Sequence, residues 1–250
     1  MVRAKKDDRN FPQLSRATLF KESSAALVGL LLAGAGLVWA QDYPHAYPRD
    51  GAEHLFENDR VSIWEVIWPD GVPQPYHRHR YDMTGVFLRW GPLRVTRLDG
   101  TFTDSEVPFE LPNVFLLPKG VTHKEEGIGT PLRHAIMIDL KETADAPVDS
   151  RTDIPPAFPQ DGAEEALDHA RVRVWNVSWP AGHTVPLHVH PTDTVLVFLE
   201  GGTISTTQED GTEDTTTYSE KEIAFLPAGT AHTTRVVNGS PRVMFYELKD

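Results

Sequence analysis

At 250 residues the chain is long enough for one large domain or two small ones, and at 40% hydrophobic and 24% charged its composition is that of a folded protein. A formal charge of -12 argues against a nucleic-acid backbone or an anionic membrane surface as partner. The absence of cysteine excludes disulfides, thiolate metal sites and a cysteine nucleophile.

Met1 to Ser24 carries six basic residues against three acidic ones, and residues 25–40 then run without a charge. A charged leader, a short apolar run and the small-residue end at Val38-Trp39-Ala40 predict an export signal over residues 1–40, cleaved before Gln41. The apolar run is shorter than the roughly 20 residues that a spanning helix needs. No stable membrane insertion is therefore expected after cleavage, and the mature chain is expected in the periplasm or secreted. Ser15-Arg16-Ala17-Thr18-Leu19-Phe20-Lys21 resembles the twin-arginine export motif with its second arginine replaced by alanine, so the export route stays open.

From Tyr47 the chain says everything twice. A constant offset of 111 runs without a gap from Tyr47/Phe158 to Gly91/Gly202, with 20 of 45 positions identical. Pro118-Lys-Gly-Val-Thr-His123 matches Pro227-Ala-Gly-Thr-Ala-His232 at an offset of 109. The repeat predicts two domains, 41–145 and 158–250, joined by a Pro- and Asp-rich linker over 146–157.

Each copy reads as β throughout. Residues 61–68 and 172–179 are rich in β-branched and aromatic residues and end at Pro-x-Gly. Shorter strands are expected at Val86-Phe-Leu, Val114-Phe-Leu-Leu, His134-Ala-Ile-Met-Ile, Val197-Phe-Leu, Ile223-Ala-Phe-Leu and Val243-Met-Phe-Tyr. Asp99-Gly100, Gly201-Gly202, Asp210-Gly211 and Asn238-Gly239 are read as turns between them. Many short strands broken by Gly and Pro predict an all-β fold, a sandwich or barrel for each copy. Trp64, Trp68, Trp175 and Trp179, at i and i+4, share a strand face and are assigned to the core. The threonine-rich stretch Thr203 to Tyr218 is read as an edge hairpin.

His188 and His190 stand at i and i+2, on one face of a strand, and His232 follows a Pro-x-Gly turn; His77, His79 and His123 repeat the arrangement. Two strand histidines and one from a turn can close a three-nitrogen cap on a metal ion. Imidazole suits Zn, Fe, Cu and Ni, and three protein ligands leave coordination positions open.

The motif Gly182-x5-His188-x-His190-x3-Thr194-x6-Gly201 resembles the first motif of the cupin superfamily, and Lys221-x5-Pro227-x-Gly229-x2-His232 its second, with lysine where that motif opens on glycine. Gly71-x5-His77-x-His79 and Pro118-x-Gly120-x2-His123 carry the same likeness in the first copy. The resemblance implies a bicupin: two tandem jelly-roll barrels, each with an inward-facing metal site. Cupins typically add a glutamate ligand three or four residues after the second histidine; Met83 or Thr84 and Thr194 or Val195 stand there instead. Asp82 and Asp193 fall at odd spacing from the histidine face and are read as turn-stabilising.

An ion held by neutral imidazoles alone keeps its full charge and favours an anionic or chelating substrate. The resemblance brings to mind three-histidine non-haem iron dioxygenases. The expected cofactor is a divalent ion, Fe2+ favoured with Zn2+, Ni2+, Cu2+ or Mn2+ open, and the expected partner a small molecule. Homo-oligomerisation is left open, as small jelly rolls commonly pair. A non-catalytic metal or small-ligand binder and a zinc or nickel isomerase or lyase are the rival readings. Polar groups expected near the open metal face are His134, His183, Tyr246 and Arg133, with Arg89 and Arg94 as further anion-holding candidates. No general base is evident.

Overall fold

The structure, a computed structural model, describes residues 42–142 and 147–249. The predicted leader over 1–40 lies outside the described residues. Among those described there are sixteen β-strands and no helix.

In the N-terminal half the strands are β1 (Ala52–Glu57), β2 (Val61–Ile67), β3 (His77–Arg78), β4 (Asp82–Arg89), β5 (Leu93–Arg97), β6 (Phe102–Ser105), β7 (Asn113–Leu117), β8 (Thr122–Gly127) and β9 (His134–Leu140). They form two open sheets of order β1-β2-β9-β4-β7 and β3-β8-β5-β6. The C-terminal half comprises β10 (Ala163–Asp168), β11 (Val172–Ser178), β12 (Thr184–Val189), β13 (Thr194–Gln208), β14 (Glu213–Tyr218), β15 (Ile223–Leu226) and β16 (Ala231–Leu248). Here one sheet runs β10-β11-β16-β13-β14, with β12 on β16 and β15 on β13. Each half is the expected jelly roll, and β14 of the threonine-rich hairpin is an edge.

Two of the expected turns are not turns. Gly201-Gly202 and Asn238-Gly239 lie inside β13 and β16, where Gly202 pairs with Gly239 and the register shifts around Glu200, Gly202 and Thr203. A Cβ on Gly202 would stand 2.8 Å from Pro241 Cδ, so glycine lets the two long strands bulge and bend together without breaking. In the first copy Pro92 takes the place of Thr203 and supplies no N–H, and there β4 and β5 are separate strands.

The side-chain alternation sorts the core into two kinds. Trp64, Val66 and Trp68 point into the N-terminal half with Ala135 and Met137, and Trp175, Val177 and Trp179 point into the C-terminal half with Val243 and Phe245. The opposite faces meet: Val61, Ile63, Ile136, Ile138 and Leu140 pack in one cluster with Val172, Val174, Met244, Tyr246 and Leu248. Both faces of these strands are thus buried, which is why they read as near-continuous apolar runs. A jelly roll of about 100 residues is marginal alone, and the shared core makes the two halves one packed body.

The contact between halves is reciprocal. Arg60 Nε lies 3.1 Å from Asp193 Oδ2, and the matching Arg171 Nη1 lies 3.3 Å from Asp82 Oδ2. Glu65 accepts from His134 at 2.7 Å and from Lys221 of the other half at 2.8 Å. Lys221 has φ 71°, the left-handed backbone that explains why glycine usually opens this motif.

The segment before each copy is part of its half. Arg78 N donates to Pro44 O at 2.8 Å and Val189 N to Pro155 O at 2.9 Å, the same bond at the same offset of 111. Ile154 and Ala157, within the stretch read as linker, are buried beside Val189 and in the C-terminal core respectively. The repeat therefore extends upstream to Pro44 and Pro155, where Tyr43/Ile154 and His45/Pro156 had diverged too far to match by sequence.

Candidate metal centres

Register places the first two nitrogens of each triad. His77 is the cross-strand partner of His123, and His188 of His232, so each pair faces the same interior. The third histidine is tied to the Pro-x-Gly turn by backbone bonds: His79 N to Val121 O and Gly120 N to His79 O, repeated as His190 N to Thr230 O and Gly229 N to His190 O. Gly120 and Gly229 take φ 88° and 82°, so the turn that delivers the third ligand depends on glycine.

All six imidazoles are buried. Within each triad the nearest ring nitrogens all lie within 4.8 Å of one another, and ring centroids are 4.8–5.1 Å apart in the first and 4.7–5.3 Å in the second. His79 Nε2 and His123 Nε2 stand 3.1 Å apart. Nitrogens each about 2.0–2.1 Å from one ion at tetrahedral or octahedral angles are about 2.9–3.4 Å apart, so the spacing fits shared coordination. His77 Nδ1–H donates to Pro75 O at 3.1 Å and His188 Nδ1–H to Pro186 O at 2.8 Å, which leaves Nε2 as the lone-pair atom. His77 Nε2 and both ring nitrogens of His190 are buried without a hydrogen-bond partner. A group so placed costs about 1–3 kcal/mol unless something satisfies it, and a divalent ion would.

The electrostatics agree. Burial pushes His77 and His232 down to about 4 and His79 to about 3; it also lowers His123 and His188, and it holds His190 well below its ordinary value. At neutral pH all six are neutral, the form that binds metal.

Of the other expected site residues, none reaches a triad. His134 sits in the Glu65 cluster, and Tyr246 is buried in the core shared by the halves. His183 stacks on Trp179 at 6.3 Å. Arg133 donates to Gly91 O and Ser105 Oγ, Arg89 to Leu132 O, and Arg94 pairs with Asp104 through two bonds of 2.8 Å. These side chains hold loops and hairpins together. Contrary to the expectation from the sequence, Asp82 and Asp193 do not hold the turns they follow but more distant ones: they accept Lys119 N and Ala228 N at 2.9 Å each, on the turns that lead to His123 and His232.

The sequence reading missed a carboxylate. Glu125 stands two residues after His123 on β8, hence on the same face, and its Oε1 lies 3.7 Å from His123 Nε2. Its Oε2 accepts from Arg49 Nη1 at 2.6 Å and from Trp68 Nε1 at 2.9 Å. Burial alone would raise the Glu125 carboxyl, but the Arg49 guanidinium, with His123 and His77, overrides it and holds the group well below the usual carboxylate range. Arg49 lies 5.3 Å and 5.4 Å from the rings of Tyr47 and Trp68. In the second copy the matched residues are Gln160 and Thr234, and Phe158 and Trp179 stand at the positions of Tyr47 and Trp68.

The surroundings differ accordingly. The C-terminal triad borders a cavity of about 50 Å³ walled by Trp179, Leu196, Phe198, Ile204, Tyr218, Leu226 and Phe245, with Gln160, Thr206 and Thr234 as its polar members. On the N-terminal side a wide surface groove of about 620 Å³ passes His123, lined by Arg78, Arg97 and Asp99.

No family model matches the sequence, and no curated protein matches it. Solved structures do. AerE from Microcystis aeruginosa superposes with a TM-score of 0.54 at 13% identity, over 84% of this chain and 99% of that one. Bacillus subtilis oxalate decarboxylase, described with Mn(II) centres, gives 0.54 at 12% identity over 83% of this chain and 79% of that one. At such identities the likeness speaks for the fold: two jelly rolls in tandem.

Proposed function

We propose that this chain, a bicupin by its fold, is a metal-dependent oxidoreductase of the three-histidine, dioxygenase-like type. It would hold a divalent ion, Fe2+ in preference to Zn2+, Ni2+, Cu2+ or Mn2+, and act on a small anionic or chelating substrate. One observation carries the reading: three buried, neutral imidazoles converge in each half, with His77 and His188 held in the metal-binding tautomer by a neighbouring carbonyl. The Mn(II) centres of the oxalate decarboxylase relative support a divalent ion without selecting iron.

When bound, the ion supplies a Lewis acid with open positions for substrate and dioxygen. The chain supplies the rest. Burial keeps the imidazoles unprotonated, the Pro-x-Gly turn fixes the third ring, and the aromatic walls of the C-terminal cavity exclude water around a bound molecule. The export leader read over residues 1–40 supports a site of action in the periplasm or outside the cell.

The test is elemental analysis of protein purified without added metal, followed by oxygen uptake with a panel of small carboxylates, thiols and diketones. Bound iron with substrate-dependent uptake is the expected result. Tightly held zinc with no uptake would refute the oxidoreductase reading.

A further inference from the structure

The two halves keep the same ligands and exchange what surrounds them. At matched positions the N-terminal half has Arg49 and Glu125 where the C-terminal half has Gln160 and Thr234. Arg49 and Glu125 are the longer side chains, they bond to each other at 2.6 Å, and both meet Trp68 beside the first triad, Glu125 accepting from its Nε1 at 2.9 Å and the Arg49 guanidinium carbon lying 5.4 Å from its ring centroid. They fill the interior next to His123 with an ion pair whose carboxylate Oε1 lies 3.7 Å from His123 Nε2. In the C-terminal half the shorter Gln160 and Thr234 line the cavity of about 50 Å³ instead. Two polar atoms of its lining residues, Gln160 Oε1 and Trp179 Nε1, are buried without a partner, one an acceptor and one a donor. Trp179 is 4% exposed.

We propose that the C-terminal centre is the ligand-binding centre and that its ligand is a short-chain carboxylate or dicarbonyl. The oxygen end faces His188, His190 and His232, and a body of about two heavy atoms lies among the aromatic rings within reach of Gln160 and Trp179. In the N-terminal half the Arg49–Glu125 pair takes the matching interior space, the groove past His123 lies at the surface, and the ion there is kept for structure. This assignment rests on the metal-binding reading above. Three features set the ligand class. An all-imidazole centre leaves the ion's charge uncompensated, which favours an anionic or chelating oxygen group. The walls are mostly apolar, so the body is uncharged. A cavity of about 150 Å³ accommodates the six heavy atoms of benzene, so one of about 50 Å³ takes a body of about two heavy atoms, such as the ethyl group of propionate, and rejects a ring.

The experiment uses Co2+ as a spectroscopic ion in the full chain, with each centre isolated by removing the other: H77A/H79A leaves the C-terminal centre and H188A/H190A the N-terminal one. Propionate is the probe and benzoate the size control, both followed through the cobalt visible spectrum. Propionate is expected to shift the spectrum of the C-terminal centre with at least tenfold lower Kd than that of the N-terminal centre, and benzoate to leave both unchanged. Q160R/T234E should abolish the propionate response while cobalt stays bound, and R49Q/E125T should confer a response on the N-terminal centre. Equal response at both centres, tight benzoate binding, or insensitivity to both exchanges would overturn the assignment. Failure of either centre to bind cobalt would remove the metal reading beneath it, whereas cobalt bound with no propionate response refutes this inference alone.

Discussion

Arg49→Gln places in the N-terminal half the residue found at the same position of the C-terminal half, and the structure says that it should be far from neutral. Arg49 and Glu125 are 5% and 12% exposed at their side chains and joined at 2.6 Å. Removing the guanidinium leaves the Glu125 carboxylate buried, with the Trp68 N–H at 2.9 Å as its remaining hydrogen bond and His123 Nε2 at 3.7 Å. Breaking a buried pair from one side typically costs about 3–5 kcal/mol, because the surviving charge is uncompensated. For a body of this size that is a fall of ~6–20 °C in Tm. Glu125→Thr alone strands the arginine and belongs in the same range. The double variant R49Q/E125T removes both charges and rebuilds the arrangement of the other half, at the lesser cost of a new cavity. Urea denaturation of chelator-treated protein should therefore place the double variant at least ~2 kcal/mol above the sum of the two singles. Additive losses, or an Arg49→Gln loss under ~1 kcal/mol, would show that the pair is not coupled as described.

Acid should destabilise the fold through the triads. The folded-state pKa of these histidines is depressed, so the unfolded chain binds more protons below its own pKa of about 6.5 and stability falls as pH drops. With His77 and His232 near 4 in the folded state, the loss should run from about pH 6.5 to about pH 4, with metal release in the same window, as followed by Tm and metal content against pH. Arg60→Ala acts across the halves: Asp193 loses a partner at 3.1 Å while still holding Ala228 N on the turn to His232. A stability loss of about 2–3 kcal/mol and easier chelator stripping of the C-terminal centre are expected, with the N-terminal centre unaffected; equal loss from both centres would contradict it. Lys221→Gly should stay within about 1 kcal/mol of the parent, since relief of left-handed strain offsets the lost Glu65 contact, and Lys221→Ala should lie about 1 kcal/mol lower in chemical denaturation.

What the sequence revealed and what it withheld have physical causes. The duplicated His-x-His and Pro-x-Gly-x2-His spacings survive because cross-strand register and a glycine turn admit few alternatives, so both triads could be placed by residue number. Glu125 was visible as His123-Lys-Glu125, the same two-residue period that paired His77 with His79, but a carboxylate was sought only where the cupin likeness expects one. Arg49 gave no signal, as it lies 76 positions from Glu125 and only folding brings them together. Gly202 and Gly239 read as turns because glycine serves bulges and turns alike, and which one forms depends on whether the neighbouring strand continues. The shared core was hidden for a similar reason: apolar residues on both faces of β2, β9, β11 and β16 signal burial on two sides without naming the second partner. His134, His183, Arg89 and Arg133 are polar residues near motifs in sequence that fold into loop and inter-half contacts.

The central claim is that each half carries its own metal centre, and metal stoichiometry addresses it most directly. Protein refolded or expressed with a saturating divalent ion and then desalted should hold two ions per chain by elemental analysis, and the H188A/H190A variant should hold one. Two ions retained in that variant, or none in it while the parent holds two, would contradict the account.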